Sequence, residues 1–218
     1  MILLYAVLAG LLAGLVRARL TRRSLRFPGL RLLWLAPAAY LPQHLAFQFS
    51  PARRLLPDDL AAFILVGTQL LLLAFVWANR QQPGFWLLGL GLVLNLLVIA
   101  LNGGFMPISP ETVARLAPDA PPGTWQVGER LGSTKDIVLP AADIRFEWLS
   151  DRFLMTAGTS ANRVAFSIGD VIIALGAFRL LWMLGSPGPG RTSESFQSPE
   201  SRFSLGSLHS NREREYGD

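Results

Sequence analysis

Three polar side chains, Asn95, Asn102 and Asp170, lie within or at the ends of long apolar stretches of the sequence. Polar groups in such surroundings need hydrogen-bond partners, because hydrocarbon offers none. Gly91, Asn95 and Asn102 recur at spacings of four and seven, so a helix would place them on one face. Gly91 would let a second backbone approach, and Asn95 could then hydrogen-bond across the contact. A ligand or ion site on that face is the alternative.

Asp170 follows Ser167 at the spacing of a capping box, with Gly169 between them. The Ser167 hydroxyl would accept from the amide of residue 170, and the Asp170 carboxylate would accept from the Ser167 amide. The negative charge also suits the positive end of a helix dipole. The sequence therefore predicts a helix start at Ser167, with proton or cation handling by Asp170 as the alternative.

A second motif ends the preceding apolar stretch and consists of Asn102, Gly103, Gly104, Phe105, Met106 and Pro107. Its two glycines allow a sharp turn, and its proline prevents the helix from continuing. We expect this turn and the helix start at Ser167 to be neighbours at one membrane face. In this interpretation Asp170 caps its own helix and also holds the turn.

Other kinds of chemistry find little support in the residue types. The sequence has no cysteine, and its two histidines are His44 and His209. A single histidine near the membrane makes no metal site, and no HExxH, GxSxG, Walker A or GxGxxG motif occurs. The sequence therefore predicts no catalytic residue, no metal site and no cofactor.

The composition indicates which elements position these residues. Of 218 residues, 51% are hydrophobic and only 16% are charged, whereas a soluble domain has about a quarter charged. The pattern predicts an all-α, multi-pass integral membrane bundle, whose five transmembrane helices cover residues 2–16, 30–49, 60–77, 85–101 and 167–184. Pro37 and Pro42 interrupt the second segment, so a helix that dips in and out of the bilayer is the alternative there.

The remaining segments differ in character. Residues 102–163 are polar enough to form one long external loop, in which Ser109, Pro110 and Glu111 predict the start of a short helix. The periodicity of residues 143–154 fits both a strand and a helix. Residues 1–184 thus form one predicted transmembrane domain. Residues 185–218, rich in Ser, Gly, Pro, Glu and Arg, are predicted to be a disordered cytoplasmic tail.

The distribution of charge sets the predicted orientation and partners. The net charge is +5, and six arginines lie between the first two apolar segments, at Arg17, Arg19, Arg22, Arg23, Arg26 and Arg31. Such clusters bind anionic lipid headgroups and stay in the cytoplasm. We therefore expect a cell-membrane protein whose N-terminus is outside and whose C-terminus is cytoplasmic. Its partner is the lipid bilayer, and nucleic acid is excluded.

The first apolar segment carries Ala6, Gly10 and Gly14 at intervals of four. Small residues at this spacing let helices approach closely. The ridge is predicted to pack against a neighbouring helix or against a second copy of the chain, which would make a homo-oligomer.

The turn at 102–107 and the helix start at 166–171 together resemble an uncharacterised bacterial integral-membrane family, domain of unknown function 5317. Its members have an NGGxMP turn, a loop segment similar to DTRL…LxD and an SxGD helix start. The loop segment here is 143–151, which departs from DTRL at two positions. The resemblance covers about residues 1–185. It implies a bacterial membrane protein and brings no activity, cofactor or catalytic residue.

Two functions from different classes remain open at this point. In the first, the protein is structural or accessory and non-enzymatic, and the turn and helix start are architectural. In the second, it is a small transporter or membrane-embedded enzyme with a site at the outer face. That site would bring together Asn95, Asn102, Arg145, Asp151 and Asp170. The discriminating observation is whether these side chains line one pocket or act separately as caps and turns.

Overall fold

The structure is a computed structural model that describes residues 2–22, 29–121, 123–156 and 163–185, without the side chains of 52–54 and 185. The predicted tail therefore lies outside the described residues, apart from Gly185. Two of the six clustered arginines, Arg23 and Arg26, lie outside them as well.

The described residues are mostly helical. They form α1 (Ile2–Leu20), α2 (Leu35–Gln43), α3 (Ser50–Leu55), α4 (Asp58–Ala78), α5 (Phe85–Leu101), α6 (Pro110–Leu116) and α7 (Ile168–Trp182). By length and composition, α1 and α4 could each cross a membrane, and α5 is a shorter apolar helix. The short helix predicted at Ser109 is α6, whose first turn is capped where the Thr112 amide donates to Ser109 Oγ at 3.2 Å.

The predicted segment over residues 30–49 is divided. Its α-helix begins only at Leu35, and a π-helical segment, His44–Gln48, continues it. Pro42 lies inside α2 and supplies no amide hydrogen. At the end of the π segment the amide of Phe49 donates to the carbonyl of His44 at 3.1 Å. This wider turn is typical of a local insertion in an α-helix and is frequent at functional sites.

The long helices pack in the order α1, α7, α5, α4, α2. Glycines mark the closest approaches: Gly10 and Gly14 of α1 lie against Phe178 and Leu181 of α7. Rising residue numbers therefore run in the same direction in both helices, so α1 and α7 are parallel. The small-residue ridge packs on a neighbouring helix of the same chain, which is the first of its two predicted alternatives.

Two short sheets follow α5, so the all-α prediction is wrong for this region. β1 (Met106–Ile108) pairs in parallel with β2 (Asp136–Val138), and β3 (Phe153–Thr156) pairs antiparallel with β4 (Arg163–Phe166). Residues 106–108 are fully buried, and a buried backbone needs partners for its amides and carbonyls. We call residues 102–166 the cap. Phe105, Met106 and Leu149 pack it against the apolar core of α4 and α5.

Candidate functional site

The contact between α5 and α7 brings Asn95, Ser167 and Asp170 together. Asn95 Nδ2 donates to Asp170 Oδ1 at 2.9 Å, and Ser167 Oγ donates to Asn95 Oδ1 at 3.0 Å. The capping box is present, since the Ser167 amide donates to Asp170 Oδ2 and the Asp170 amide donates to Ser167 Oγ, both at 3.1 Å. A carboxylate can only accept, which orients the Asn95 amide. We call these three residues the interhelix triad.

Two glycines make the interhelix triad possible. A Cβ at Gly169 would clash with Asn95 Oδ1, and a Cβ at Gly91 would lie 2.5 Å from the Gly169 carbonyl oxygen. The two helices therefore approach closely enough for short polar side chains to bridge them. The predicted hydrogen bond of Asn95 across a close contact at Gly91 is confirmed.

Asn102 ends α5 and fixes the start of the cap. Its Nδ2 donates to the carbonyls of Val98 at 2.8 Å and Arg145 at 3.0 Å, while its Oδ1 accepts from the Arg145 amide at 2.9 Å. The Asn102 side chain thus both donates to and accepts from the backbone of Arg145, as the backbone of a paired β-strand does. It also satisfies a carbonyl in the last turn of the helix.

The Gly-Gly turn behaves as its sequence predicts. Gly103 and Gly104 have φ of 77° and 85°, a region that favours glycine. A Cβ at Gly104 would also lie 2.5 Å from the Ala62 methyl. In the described part of the chain, Asp170 makes no hydrogen bond to residues 102–106. The prediction that Asp170 holds the turn is therefore wrong. The backbone of Arg145 holds it instead, through its hydrogen bonds with the Asn102 side chain.

The end of the turn motif leads into a buried charge cluster. Met106 and Pro107 lie in β1, where the Met106 amide donates to the Lys135 carbonyl at 3.1 Å and the Pro107 carbonyl accepts from the Asp151 amide at 3.3 Å. The backbone of β1 therefore lies between Lys135 and Asp151. Their side chains meet, since Lys135 Nζ donates to Asp151 Oδ2 at 3.1 Å.

Asp136 completes the cluster, which we call the cap acid cluster (Lys135, Asp136 and Asp151). Lys135 Nζ is 3.8 Å from Asp136 Oδ1, which is too long for a hydrogen bond. The two carboxylate side chains are 8% and 4% exposed, whereas Lys135 keeps 33% of its side chain exposed. Oδ1 of Asp136 and Oδ1 of Asp151 are buried and accept no hydrogen bond.

Burial dominates the titration of the cap acid cluster. It raises the pKa of Asp151 to about 7, against the attraction of Lys135 and with the added repulsion of Asp136 and Asp170. Burial likewise raises the pKa of Asp136, again opposed by Lys135. For Lys135, burial alone would lower the pKa, but the carboxylates of Asp151 and Asp136 outweigh it and the pKa rises. Water at the exposed third of Lys135 moderates this pairing.

The five residues of the second functional hypothesis thus fall into three groups. Asn95 and Asp170 belong to the interhelix triad, Asn102 and Arg145 fix the turn, and Asp151 belongs to the cap acid cluster. Lys135 and Asp136 were not predicted as site residues. Only the composition of the sequence could have pointed to them, because Lys135 is the sole lysine among the 20 lysine and arginine residues.

The cap acid cluster borders a cleft of about 540 Å³ between the cap and the α2–π segment. Part of its wall is formed by Tyr40 and His44, whose rings stack with centroids 5.6 Å apart. Within the described residues, no group of three or more histidine, cysteine or acidic side chains could hold a metal ion. The described residues thus form a helical protein with a structured cap and a cleft beside it.

The chain belongs to the DUF5317 family, a family of unknown function, whose model matches residues 29–182. The predicted resemblance to this family is thereby confirmed over residues 29–182. An uncharacterized protein of Thermotoga maritima is 28% identical over 109 residues. That match covers 50% of this chain and 56% of the relative, so the chain spans little more than half of the relative's length. No solved structure matches the chain.

Proposed function

We propose that this chain is a multi-pass integral membrane protein with a structural or accessory, non-enzymatic role. Five segments would cross the bilayer: α1, α2 with its π segment, α4, α5 and α7. The cap would lie on the outer face. The observation that carries this proposal is the large apolar surface that the packed helices leave uncovered.

That surface is too large for a protein surrounded by water. On α1 the exposed large apolar side chains are Leu3, Leu4, Tyr5, Leu8, Leu11, Leu12, Leu15, Val16 and Leu20. Phe63 on α4 and Trp86 on α5 are 73% and 68% exposed. Soluble monomers rarely expose contiguous apolar patches above a few hundred Å². Hydrocarbon would cover this surface without cost.

Tryptophans and arginines share one end of the helices, which supports the orientation. Trp34, Trp77, Trp86 and Trp182 are exposed at the ends of α2, α4, α5 and α7. The Arg17 and Arg80 guanidinium groups lie over the rings of Trp182 and Trp77, 5.6 and 4.5 Å from their centroids. Interfacial tryptophans beside basic residues are typical of the cytoplasmic membrane boundary. The N-terminus and the cap would then be outside and the C-terminus inside.

The interhelix triad and the turn support an architectural role for their residues. The side-chain atoms of Asn95, Asn102 and Asp170 have hydrogen-bond partners within the chain. A site that binds ions or substrates needs groups left available to them. These residues therefore favour the structural hypothesis over an outer-face transport or catalytic site built on them.

Reporter fusions test the topology. Fusions after Phe49, Ala78, Leu101 and Leu184 should report outside, inside, outside and inside. The protein should also stay in the membrane fraction after alkaline carbonate washing. A cytoplasmic signal from the fusion after Leu101 would overturn the orientation, and release by carbonate would overturn the membrane-spanning role.

A further inference from the structure

The cap exposes two neighbouring aromatic side chains on residues 145–148, which we call the aromatic loop. Phe146 and Trp148 are 44% and 53% exposed, and their rings meet edge to face with centroids 6.3 Å apart. Ile144 and Leu149, on either side of the loop, are buried. The two rings are thus left outside the packing of the cap, on a segment that is anchored at both ends.

The backbone of the aromatic loop is strained at Phe146. Its φ and ψ are 58° and 51°, in the left-handed region that glycine and asparagine adopt most readily. A large side chain is uncommon there and points to a functional role. Burial does not offset this strain, because the ring stays nearly half exposed. A partner outside the chain would offset it.

The aromatic loop lies level with the end of α5 and the start of α7. The backbone of Arg145 forms hydrogen bonds of 2.9 and 3.0 Å with the side chain of Asn102, which ends α5. Leu149 is buried in the same core cluster as Ile99, in the last turn of α5. Ile168, the first residue of α7, packs against that cluster. The loop therefore lies at the helix ends rather than further out in the cap.

The lengths of α5 and α7 place these ends at the boundary of a bilayer. The two helices have 17 and 15 residues, so they span about 25 Å and about 22 Å. The hydrocarbon of a bilayer is about 30 Å thick. A span shorter than the hydrocarbon draws its flanking residues toward the interface. In the membrane role proposed above, the aromatic loop is such a flanking segment.

The apolar surface of the helices continues to the level of the aromatic loop. Exposed apolar side chains recur at helical spacing, as Leu90, Val93 and Leu97 on α5 and as Val171 and Leu175 on α7. Leu97 lies about one turn before the end of α5, and Val171 lies in the first turn of α7. Lipid that covers these helices would therefore meet the loop as well.

The residue types of the aromatic loop suit the headgroup region rather than the hydrocarbon. Tryptophan is enriched at the membrane interface. Arg145 is exposed beside the rings, and arginine binds phosphate groups through its planar fork of donors. The Glu147 carboxylate lies 3.8 Å from the Arg152 guanidinium. The three exposed charges of this region thus sum to one positive charge, which favours phosphate.

We propose that Phe146 and Trp148 insert into the headgroup region of the bilayer and anchor the cap on the membrane. The partner is a lipid surface, with its phosphates at Arg145 and its upper acyl chains at the two rings. This anchor rests on the membrane-spanning role proposed above and adds a contact that the spans themselves do not require.

The chain has no cysteine, so single cysteines can be labelled in the full-length protein. Phe146→Cys and Trp148→Cys each carry a bimane label in vesicles of phosphatidylcholine and phosphatidylglycerol. Brominated acyl chains should quench both labels, and quenching by iodide in the water should be largely lost. Ala114→Cys is the matched control, exposed on α6, which packs through Val113 on a core made by the cap alone. Its label should show the reverse. Thermal unfolding of each variant checks that it is folded.

A further control separates the aromatic anchor from the membrane-spanning role. Leu70→Cys, at a 53% exposed position inside α4, reports whether the exposed helix surface meets lipid. If lipid quenches this label while iodide quenches those at Phe146 and Trp148 as it does at Ala114, the anchor is overturned and the membrane role stands. Iodide quenching at Leu70 would overturn both. Lipid quenching at Ala114 as well would show that the whole cap lies on the membrane, which would overturn a specific role for the aromatic loop.

Discussion

Asp170 of the interhelix triad is half-buried and Asp151 of the cap acid cluster is buried, and the hydrogen bonds of the two carboxylates differ. Asp170 accepts hydrogen bonds from Asn95 Nδ2 and the Ser167 amide, one at each carboxylate oxygen. Asp151 accepts one from Lys135, and its other oxygen is buried without a donor. A satisfied polar group stabilises a fold, whereas an unsatisfied one costs stability that some other benefit must offset. The hydrogen bonds of Asp170 thus stabilise the contact between α5 and α7, whereas the burial of Asp151 is only partly compensated.

The largest expected effect tests the close helix contact behind the interhelix triad. Gly169→Ala places a methyl group where Asn95 Oδ1 lies, so the triad must open or the helices must separate. We expect the free energy of unfolding to fall by about 3 kcal/mol. Denaturant unfolding in detergent, followed by circular dichroism, measures it.

Gly67→Ala is the matched control for this substitution. Gly67 lies inside α4 with open space around its missing Cβ. Alanine should raise the free energy of unfolding there by about 0.5–1 kcal/mol, because it favours the helix. Equal effects at Gly67 and Gly169 would mean that the triad does not depend on close approach.

The cap acid cluster should make stability depend on pH. The pKa of Asp151 is raised to about 7, above about 4 in an unfolded chain. Between these values the folded protein holds a proton that the unfolded chain releases. The free energy of unfolding therefore falls as pH rises through this window and then levels off.

Asp151→Asn should reduce this dependence, because its amide is neutral throughout the window, while Asp136, whose pKa is also raised by burial, still titrates. Asp119→Asn, at an exposed acid of the cap, should retain it. Unfolding measured at pH 5 and pH 8 for the wild type and both variants provides the comparison. A wild-type protein that is more stable at pH 8 than at pH 5 would contradict the burial of Asp151.

A smaller effect is expected from charge removal in the interhelix triad. Asp170→Ala removes the acceptor of the Ser167 amide in the capping box of α7 and leaves Asn95 Nδ2 without an acceptor. The loss should lower the free energy of unfolding by about 1.5 kcal/mol. Asp170→Asn should cost only about 0.5 kcal/mol, because rotation of the Asn95 amide lets Asn95 Oδ1 accept from the new amide. Thermal unfolding of both variants measures the difference. If Asp170 handles protons or cations instead, Asn would abolish function and leave stability unchanged.

The smallest effect is expected from deletion of the C-terminal segment, of which residues 186–218 lie outside the described residues. Residues 185–218 have too little apolar content to offset the entropy of ordering. Their deletion should leave membrane insertion and thermal stability unchanged. Fractionation and thermal unfolding of the truncated chain measure both, and a large loss of either would show that this segment docks on the rest.

The interhelix triad could be predicted largely from the sequence because its determinants are local or periodic. Ser167 and Asp170 are three residues apart, and Gly91 and Asn95 share one helix face at a spacing of four. By contrast, Asn95 and Asn102 are two helical turns apart, or about 10 Å. That distance explains why Asp170, bonded to Asn95, leaves the turn to Arg145.

The cap acid cluster could not be predicted in the same way. Lys135 and Asp151 are sixteen residues apart, and the periodicity of residues 143–154 does not distinguish a helix from a strand. They meet because β1 pairs with β2 on one side and accepts the Asp151 amide on the other. Parallel pairing over three residues leaves too short a pattern to recognise. The lone lysine beside an aspartate was the only local sign.

The parallel packing of α1 on α7 also affects the order in which the protein can assemble during synthesis. α1 leaves the ribosome first, but its main packing partner is made last. Until residue 182 has been translated, α7 is incomplete and cannot pack into the groove at Gly10 and Gly14. In the proposed membrane role, α1 would therefore remain in the bilayer without this partner while the other helices pair. A nascent chain stopped before residue 168 should expose that groove to crosslinking with the insertion machinery.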